Sequence, residues 1–467
     1  MIKIQNDSRR KFLKSLAALG TTSIVGGASK PLSASDIPAR SIGARYMGDF
    51  AAPKLKTVRC AFIGAGGRGS GHIAQFSNLE NTEVVAICDL IENRADKAAT
   101  GCLNSARGKY HQNLNVYHEN DDSWKKMLLE VRPDLVVIAT PWESHASMAI
   151  ESMKQGAHAF VEVPLAVTNQ ELWEIVDTSE TTSKHCMMME NVNYGRAELL
   201  YLNMCRQGVI GELLHGEAAY IHELRNRMSE SKGIWRNQHY ATRNGNLYPT
   251  HGLGPVAQYM NIARSEDTFQ RLVSFSSQAI GRKTYAKKNF PKNHKWNKTD
   301  FQGGDINTSI IQTKLGRTIM IQWDETSPRP YTRLNLIQGT KGTLAGYPTR
   351  IALEGGLEGV AKDHHDWIQG DQLEAIYQKY EHPLYKRLGE LAKRKGGHGG
   401  MDFIMRYRII ECLRLGIPLD QNLYEGCLWS AVAPLSEMSV KQRGTPQEFP
   451  DFTRGHWKDT SPLEIVT

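Results

Sequence analysis

At 467 residues, 40% hydrophobic and 23% charged, the chain exceeds one ordinary domain and has the balance of a soluble globular protein with room for two cores. The net charge of +8 raises nucleic acid as a partner. However, the Lys and Arg beyond an N-terminal group are scattered, and no base-stacking module or basic helix accompanies them, so a solvated basic surface is expected instead. Seven cysteines without C-x-x-C spacing argue against a disulfide framework and against a metal site, and predict buried free thiols.

Residues Ser8-Arg9-Arg10-Lys11-Phe12-Leu13-Lys14 precede a weakly apolar stretch, 15–28, and then small residues with Leu32-Ser33-Ala34 as a cleavage site. This resembles a twin-arginine export signal over residues 1–34 and predicts a periplasmic or secreted protein. No cysteine ends the segment and no other stretch reaches the ~18 apolar residues of a spanning helix, so no stable membrane anchor is expected. Residues 35–56 read as an extended linker.

From residue 57 a cofactor domain is expected, running to 193. The apolar run Val58-Arg59-Cys60-Ala61-Phe62-Ile63 reads as a short buried strand, followed by Gly64-Ala65-Gly66-Gly67-Arg68-Gly69 and a helix start. A second apolar strand, 84–88, ends on Asp89, twenty residues after Gly69. Strand, glycines, helix, strand and acid in this register fit a dinucleotide site. Gly64 permits the tight turn, Gly66 lets the backbone approach a pyrophosphate, and Gly69 lets the helix pack on the strand. The free N–H groups of that helix face the phosphates. Asp89 would accept from ribose hydroxyls and repel a 2′-phosphate, which favours NAD over NADP.

Helices at 91–100 and 124–131 and a strand at 135–139 follow, ending in Thr140-Pro141-Trp142-Glu143-Ser144-His145 before a helix at 146–155. Ligands of open parallel sheets bind outside the carboxyl ends of the strands, which places residues 140–145 beside the cofactor. His145, at a helix start, reads as structural or as a hydrogen bonder to the ligand. A further strand stops in Glu162-Val163-Pro164, and another, 185–189, ends in Glu190-Asn191-Val192-Asn193-Tyr194. Alternating strands and helices with short loops predict a doubly wound parallel sheet.

A second domain is expected over 194–445. A helix at 197–207 and a strand at 213–220 are followed by polar residues, then Asn246-Leu247-Tyr248-Pro249-Thr250-His251-Gly252 leading into a helix at 256–262. Strands at 272–277, 308–315, 318–324 and 332–339, the last with a hairpin at 340–343, predict an open, largely antiparallel sheet. Gly396-Gly397-His398-Gly399-Gly400 then precedes helices at 401–415 and 423–440, and residues 446–467 read as a surface tail. The fold class is α/β: a Rossmann doubly wound parallel sheet plus a C-terminal α+β domain with a large, mainly antiparallel sheet.

The order of G-x-G-x-x-G, Asp89, Thr140-Pro141, Glu162-x-Pro164 and the Asn191–Tyr194 loop resembles the Gfo/Idh/MocA superfamily of NAD(P)-dependent sugar oxidoreductases. Those enzymes usually carry Glu-Lys-Pro, whose lysine assists proton transfer; Val163 can neither donate nor accept a proton. The stretch 246–255, the glycine-flanked His398, Trp142-Glu143-Ser144-His145 and Glu162-Val163-Pro164 resemble glycoside hydrolase family 109 over nearly the whole chain. Valine at this position is that family's pattern.

The resemblance implies an α-N-acetylgalactosaminidase with tightly held NAD, an exception to paired-carboxylate glycosidases. Oxidation at C3 acidifies the C2 proton, a base removes it, and the C1 leaving group is eliminated. Water adds at C1, and C3 is reduced again, with retention and no net redox. The resemblance also implies NAD contacts at Gly67, Arg68, Asp89, Trp142, Glu143, Ser144, His145, Glu162, Val163 and Asn191. It implies sugar contacts at Tyr220, Arg236, Tyr248, Pro249, Thr250, His251 and Tyr331, and self-association through the second sheet. His251 and Tyr248 are the candidates for proton abstraction near C2 and C3. His398, in a loop freed by glycines, is the candidate acid for the leaving group. Two other functions are weighed: an exported NAD-dependent sugar oxidoreductase, and a non-catalytic sugar sensor.

Overall fold

The computed structural model describes residues 38–229 and 234–466. The export signal expected at 1–34 lies outside the described residues. The first sheet comprises β1 (Val58–Ile63), β2 (Thr82–Cys88), β3 (Asn115–Tyr117), β4 (Leu135–Ile138), β5 (His158–Val161) and β6 (Cys186–Met188). They pair in parallel in the order β3-β2-β1-β4-β5-β6. Strands such as Leu-Val-Val-Ile of β4 are buried throughout, because helices cover both faces of a parallel sheet. The helix Asn169–Thr182 shows how local chemistry sets these boundaries. Thr168 and Glu171 form a capping box that satisfies two otherwise free N–H groups at its start. The strand order reverses between β1 and β4, and the crevice there opens at Gly64, Asp89 and Thr140.

The second sheet is built from β7 (Leu213–Ile221), β8 (Phe269–Ser276), β9 (Ile306–Thr313), β10 (Thr318–Asp324), β11 (Leu336–Gly339), β12 (Gly342–Ala345), β13 (Arg350–Leu353), β14 (Ile368–Gln369) and β15 (Gln447–Glu448). Its order is β14-β13-β12-β11-β7-β10-β9-β8-β15, antiparallel except where β10 runs parallel to β7. Burial alternates along β9 and β10, as a sheet with one covered face requires. The helices Thr250–Tyr259 and Leu423–Lys441 pack on β7 and β8, and the latter also reaches β6 of the first sheet. One hydrophobic core therefore runs through both sheets. The opposite face shows Phe275 and Ile310.

Three expectations change. Residues 38–56 are not a free linker. Met47, Phe50 and Ala52 are buried, the Tyr46 ring stacks on Tyr424 at 4.9 Å, and Leu55 N donates to Leu413 O at 3.1 Å. Residues 446–466 are not a surface tail either. They supply edge strand β15, bury Phe449, Phe452 and Trp457, and anchor Arg454 on Glu180 at 2.7 Å. Neither segment has a helical or strand period, and each is ordered by scattered aromatic anchors. The helix expected at 256–262 runs instead over Thr250–Tyr259, through Gly252, Gly254 and Pro255. Its burial outweighs the poor helix propensity of those residues and puts His251 in a helical first turn.

The cysteines are free, six buried and Cys205 half-buried, as expected. No described helix is long and apolar enough to cross a membrane.

Candidate functional site

The glycine loop is shaped by contact. Gly64 has φ +92°, and a Cβ there would lie 2.6 Å from Ala139 O; a Cβ on Gly69 would lie 1.8 Å from Gly64 O. By contrast, Gly66 and Gly67 border open space, and the helix Gly67–Phe76 starts there without a side-chain cap. Its first N–H groups are left to a ligand. Asp89 closes the crevice: Oδ2 accepts from Ala65 N at 2.7 Å and Oδ1 from Ile91 N at 2.8 Å. Open space beside uncapped N–H groups, with a carboxylate at the end of β2, is the donor and acceptor set a dinucleotide needs.

The loop after β4 is held from within. Ser144 Oγ donates to Pro141 O at 2.8 Å. Buried His145 faces two carbonyls, Pro164 O at 2.7 Å from Nδ1 and Thr140 O at 2.9 Å from Nε2. Burial lowers its pKa despite those two acceptors. His145 thus stands between the β4 loop and the β5 loop, both ring nitrogens facing carbonyls of the protein and its N–H donated to one of them. Val163 is buried beside it.

Glu162 centres a charged network. Its Oε1 accepts from Arg68 Nη2 at 2.9 Å and meets His72 Nε2 at 2.6 Å. Arg406 Nε donates to His72 Nδ1 at 2.8 Å. A guanidinium can only donate, so His72 carries its proton on Nε2 and gives it to Glu162. Burial and the neighbouring Arg406 lower the His72 pKa to about 4, so the ring is neutral at pH 7. Burial alone would raise the Glu162 pKa, but Arg68 and His72 outweigh it and hold the carboxyl below its usual range.

The same network reaches His398. Asp402 Oδ2 accepts from Arg68 Nη1 at 2.9 Å and lies 2.9 Å from His398 Nδ1, while Oδ1 accepts from Asn191 Nδ2 at 2.6 Å. Burial opposes the charge on Asp402, but the bond to His398 and the cations Arg68 and Arg406 hold its pKa well below the carboxylate range. Residues 396–400 all have positive φ, from +47° at His398 to +101° at Gly400. Four glycines take up this conformation without strain, and His398 alone bears it as an L side chain. Gln75 Nε2 donates to Gly396 O at 3.1 Å, so the loop is fastened to the dinucleotide helix.

A second imidazole is oriented in the same way. Glu190, fully buried at the end of β6, takes His251 Nδ1 on both oxygens, at 2.7 and 3.0 Å. The carboxylate fixes the proton on Nδ1 and leaves Nε2, 3.4 Å from the Tyr248 hydroxyl, as acceptor. Burial pushes the Tyr248 phenol above its usual range although Arg236 opposes it, so the phenol holds its proton. Arg236 lies over Trp142 and Tyr248, its guanidinium carbon 5.2 and 5.1 Å from the ring centres.

Tyr220 packs on Tyr248 and His251, and Tyr331 stands beyond Tyr220 at the rim. Pro249 and buried Thr250 form the turn into the helix; Glu143 is half-exposed and meets His239 at 3.2 Å. Sequence reading missed Glu190, Asp402, His72 and Arg406. Glu190 directly precedes the Asn191–Tyr194 loop, and Asp402 follows His398 at the i,i+4 spacing of a helical turn, which was the available signal.

Fold and site together define a protein with an NAD-binding oxidoreductase fold joined to a second, mainly antiparallel sheet. Residues 58–190 match the Oxidoreductase family, NAD-binding Rossmann fold, and residues 194–459 match Glycosyl hydrolase 109, C-terminal domain. The chain is 56% identical to Glycosyl hydrolase family 109 protein 1 of Akkermansia muciniphila over 99% of both chains. It is 51% identical to the protein of that name from Shewanella sp. MR-4, over 99% of this chain and 100% of the other. A levoglucosan dehydrogenase solved with NADH and levoglucosan shares the fold, with TM-score 0.64 and 17% identity over 85% of this chain and all of the other. The chain belongs to glycosyl hydrolase family 109, and its cofactor is NAD.

Proposed function

We propose that the chain is a retaining glycosidase that removes terminal α-linked N-acetylgalactosamine by oxidation, elimination, water addition and reduction. The observation that carries this reading is the pair of carboxylate-oriented imidazoles, His251–Glu190 and His398–Asp402, on a dinucleotide crevice whose usual lysine position is Val163. A dehydrogenase needs one proton handler at the oxidised hydroxyl, whereas an elimination needs a base at C2 and an acid at the departing oxygen.

Gly66, Gly67, Arg68, Asp89 and Asn191 would hold NAD, which supplies a reversible hydride acceptor for C3 of the sugar. Tyr248 and His251 handle the protons of the ring: the Tyr248 phenol relays the C3 hydroxyl proton to Nε2, which releases it to water, and the freed Nε2 then takes the proton from C2. Glu190 stabilises the resulting imidazolium. His398, with Nδ1 committed to Asp402, presents Nε2 to the leaving oxygen. Water enters by the same route in reverse, with His398 as base.

The protein is proposed to be exported through the twin-arginine route, to the periplasm or beyond, already loaded with NAD, on the strength of Ser8–Lys14. Self-association through the outer face of the second sheet is proposed on its exposed Phe275 and Ile310. Purified protein without added NAD is expected to release the aryl group from aryl α-N-acetylgalactosaminide. No release from any aryl glycoside by folded, NAD-loaded protein would sink the reading.

A further inference from the structure

Four tyrosines lead from the reacting residues to the surface. Tyr248 meets Tyr220 at 4.6 Å between ring centres, Tyr220 meets Tyr331 at 6.2 Å, and Tyr331 meets Tyr347 at 5.9 Å. Exposure rises along this line, from 7% at Tyr248 and Tyr220 to 40% at Tyr331 and 36% at Tyr347. The outer two rings share one support. Arg333 donates Nη1 to the Tyr331 hydroxyl at 2.9 Å and Nη2 to Glu198 at 2.8 Å, and its guanidinium lies 5.2 Å from the Tyr347 ring centre.

The backbone is bent on both sides of this support. Leu334 and Asn335 have φ +59° and +52°, and Tyr347 itself has φ +57°. Left-handed conformation in a bulky side chain is costly, and it collects where a ligand site requires it. Here it turns Tyr347 toward Tyr331, at the end of a row that begins at the proposed base.

We infer that Tyr331 and Tyr347 form a subsite for a second sugar ring, the saccharide that departs from the terminal residue. Pyranose rings carry an apolar C–H face that packs on aromatic rings, while the nearby phenols and guanidinium meet hydroxyls. The subsite rests on the glycosidase reading for its place in the reaction, and on the tyrosine row for its existence. The substrate class it selects is an oligosaccharide or glycan chain end.

The test compares two substrates with the same terminal sugar: the α-glycosyl fluoride, whose leaving group has no ring, and an α-linked trisaccharide. Tyr347→Ala is expected to lower kcat/KM for the trisaccharide about tenfold, the loss of one packed ring, and to leave the fluoride within about twofold. Tyr347→Phe, which keeps the ring, is expected to behave as wild type. Equal loss on both substrates, or no loss on either, overturns the subsite. If wild type cleaves neither, the glycosidase reading falls by itself. Titration calorimetry then reads the subsite, through trisaccharide binding that weakens about tenfold in Tyr347→Ala, and equal affinity overturns it.

Discussion

Arg68, in the dinucleotide loop, donates Nη1 to Asp402 Oδ2 at 2.9 Å, across 334 residues of sequence. The same oxygen orients His398. The group that sets the candidate acid is therefore bonded to the glycine loop proposed to hold NAD, which couples the two halves of the candidate site.

Asp402→Asn removes the charge that Arg68 and His398 share. The expected outcome is a fall of about 10²-fold in kcat/KM on a trisaccharide, with a smaller fall on the glycosyl fluoride, whose leaving group needs no acid. Stability is expected to drop by about 1 kcal/mol, because buried Arg406 loses a counter-charge while Arg68, partly exposed, keeps Glu162. Denaturant midpoints and the ratio of the two rates check both parts. Equal loss on both substrates would assign Asp402 a structural role only.

Glu190→Gln keeps an acceptor for His251 Nδ1 but removes the counter-charge of the imidazolium. A fall of about 10²-fold in kcat is expected, with the acidic limb of the kcat/KM profile moved to lower pH. A lower rate with an unmoved profile would show that Glu190 merely packs.

The glycines separate folding from cofactor binding. Gly69→Ala forces a Cβ to 1.8 Å from Gly64 O, and is expected to destabilise the protein by about 2 kcal/mol or more and to lose NAD. Gly66 has open space and φ −70°, so Gly66→Ala is expected to fold normally, with the melting temperature of the NAD-free protein unchanged while NAD is lost. Thermal melts with and without NAD distinguish the two.

The acid response is set by buried neutral histidines. Burial depresses His72 to about 4, with Arg406 adding to it, and burial depresses His158 to about 3. In the unfolded chain both titrate near ~6.5. Above that pH neither state binds the proton and stability is full. As pH falls below it, the unfolded chain takes up protons that the fold refuses, and stability is lost by up to about 1.4 kcal/mol per pH unit for each ring. The loss for His72 levels off near pH 4. Melting temperatures between pH 7.5 and 5 are expected to slope downward; a flat profile contradicts this.

Much of the fold is legible in sequence where period and punctuation agree, as in Val58–Ile63 with its glycines and Asp89, or the helix Met401–Leu415. The belt at 38–56 and the closing segment 446–466 were not, because Tyr46, Phe50, Phe452 and Trp457 act as isolated anchors whose partners lie hundreds of residues away. The helix carrying His251 was hidden by Gly252, Gly254 and Pro255, which tertiary burial overrides. In the site, His251 and His398 were visible and their carboxylates were not. Glu190 and Asp402 acquire meaning only when β6 and the helix start bring them to Nδ1 of each ring.

The most direct measurement is deuterium at C2 of the sugar released in heavy water. The account predicts deuterium incorporation at C2 with turnover and no accumulation of NADH. Release without C2 deuterium, or an oxidised sugar accumulating one for one with NADH, would contradict it.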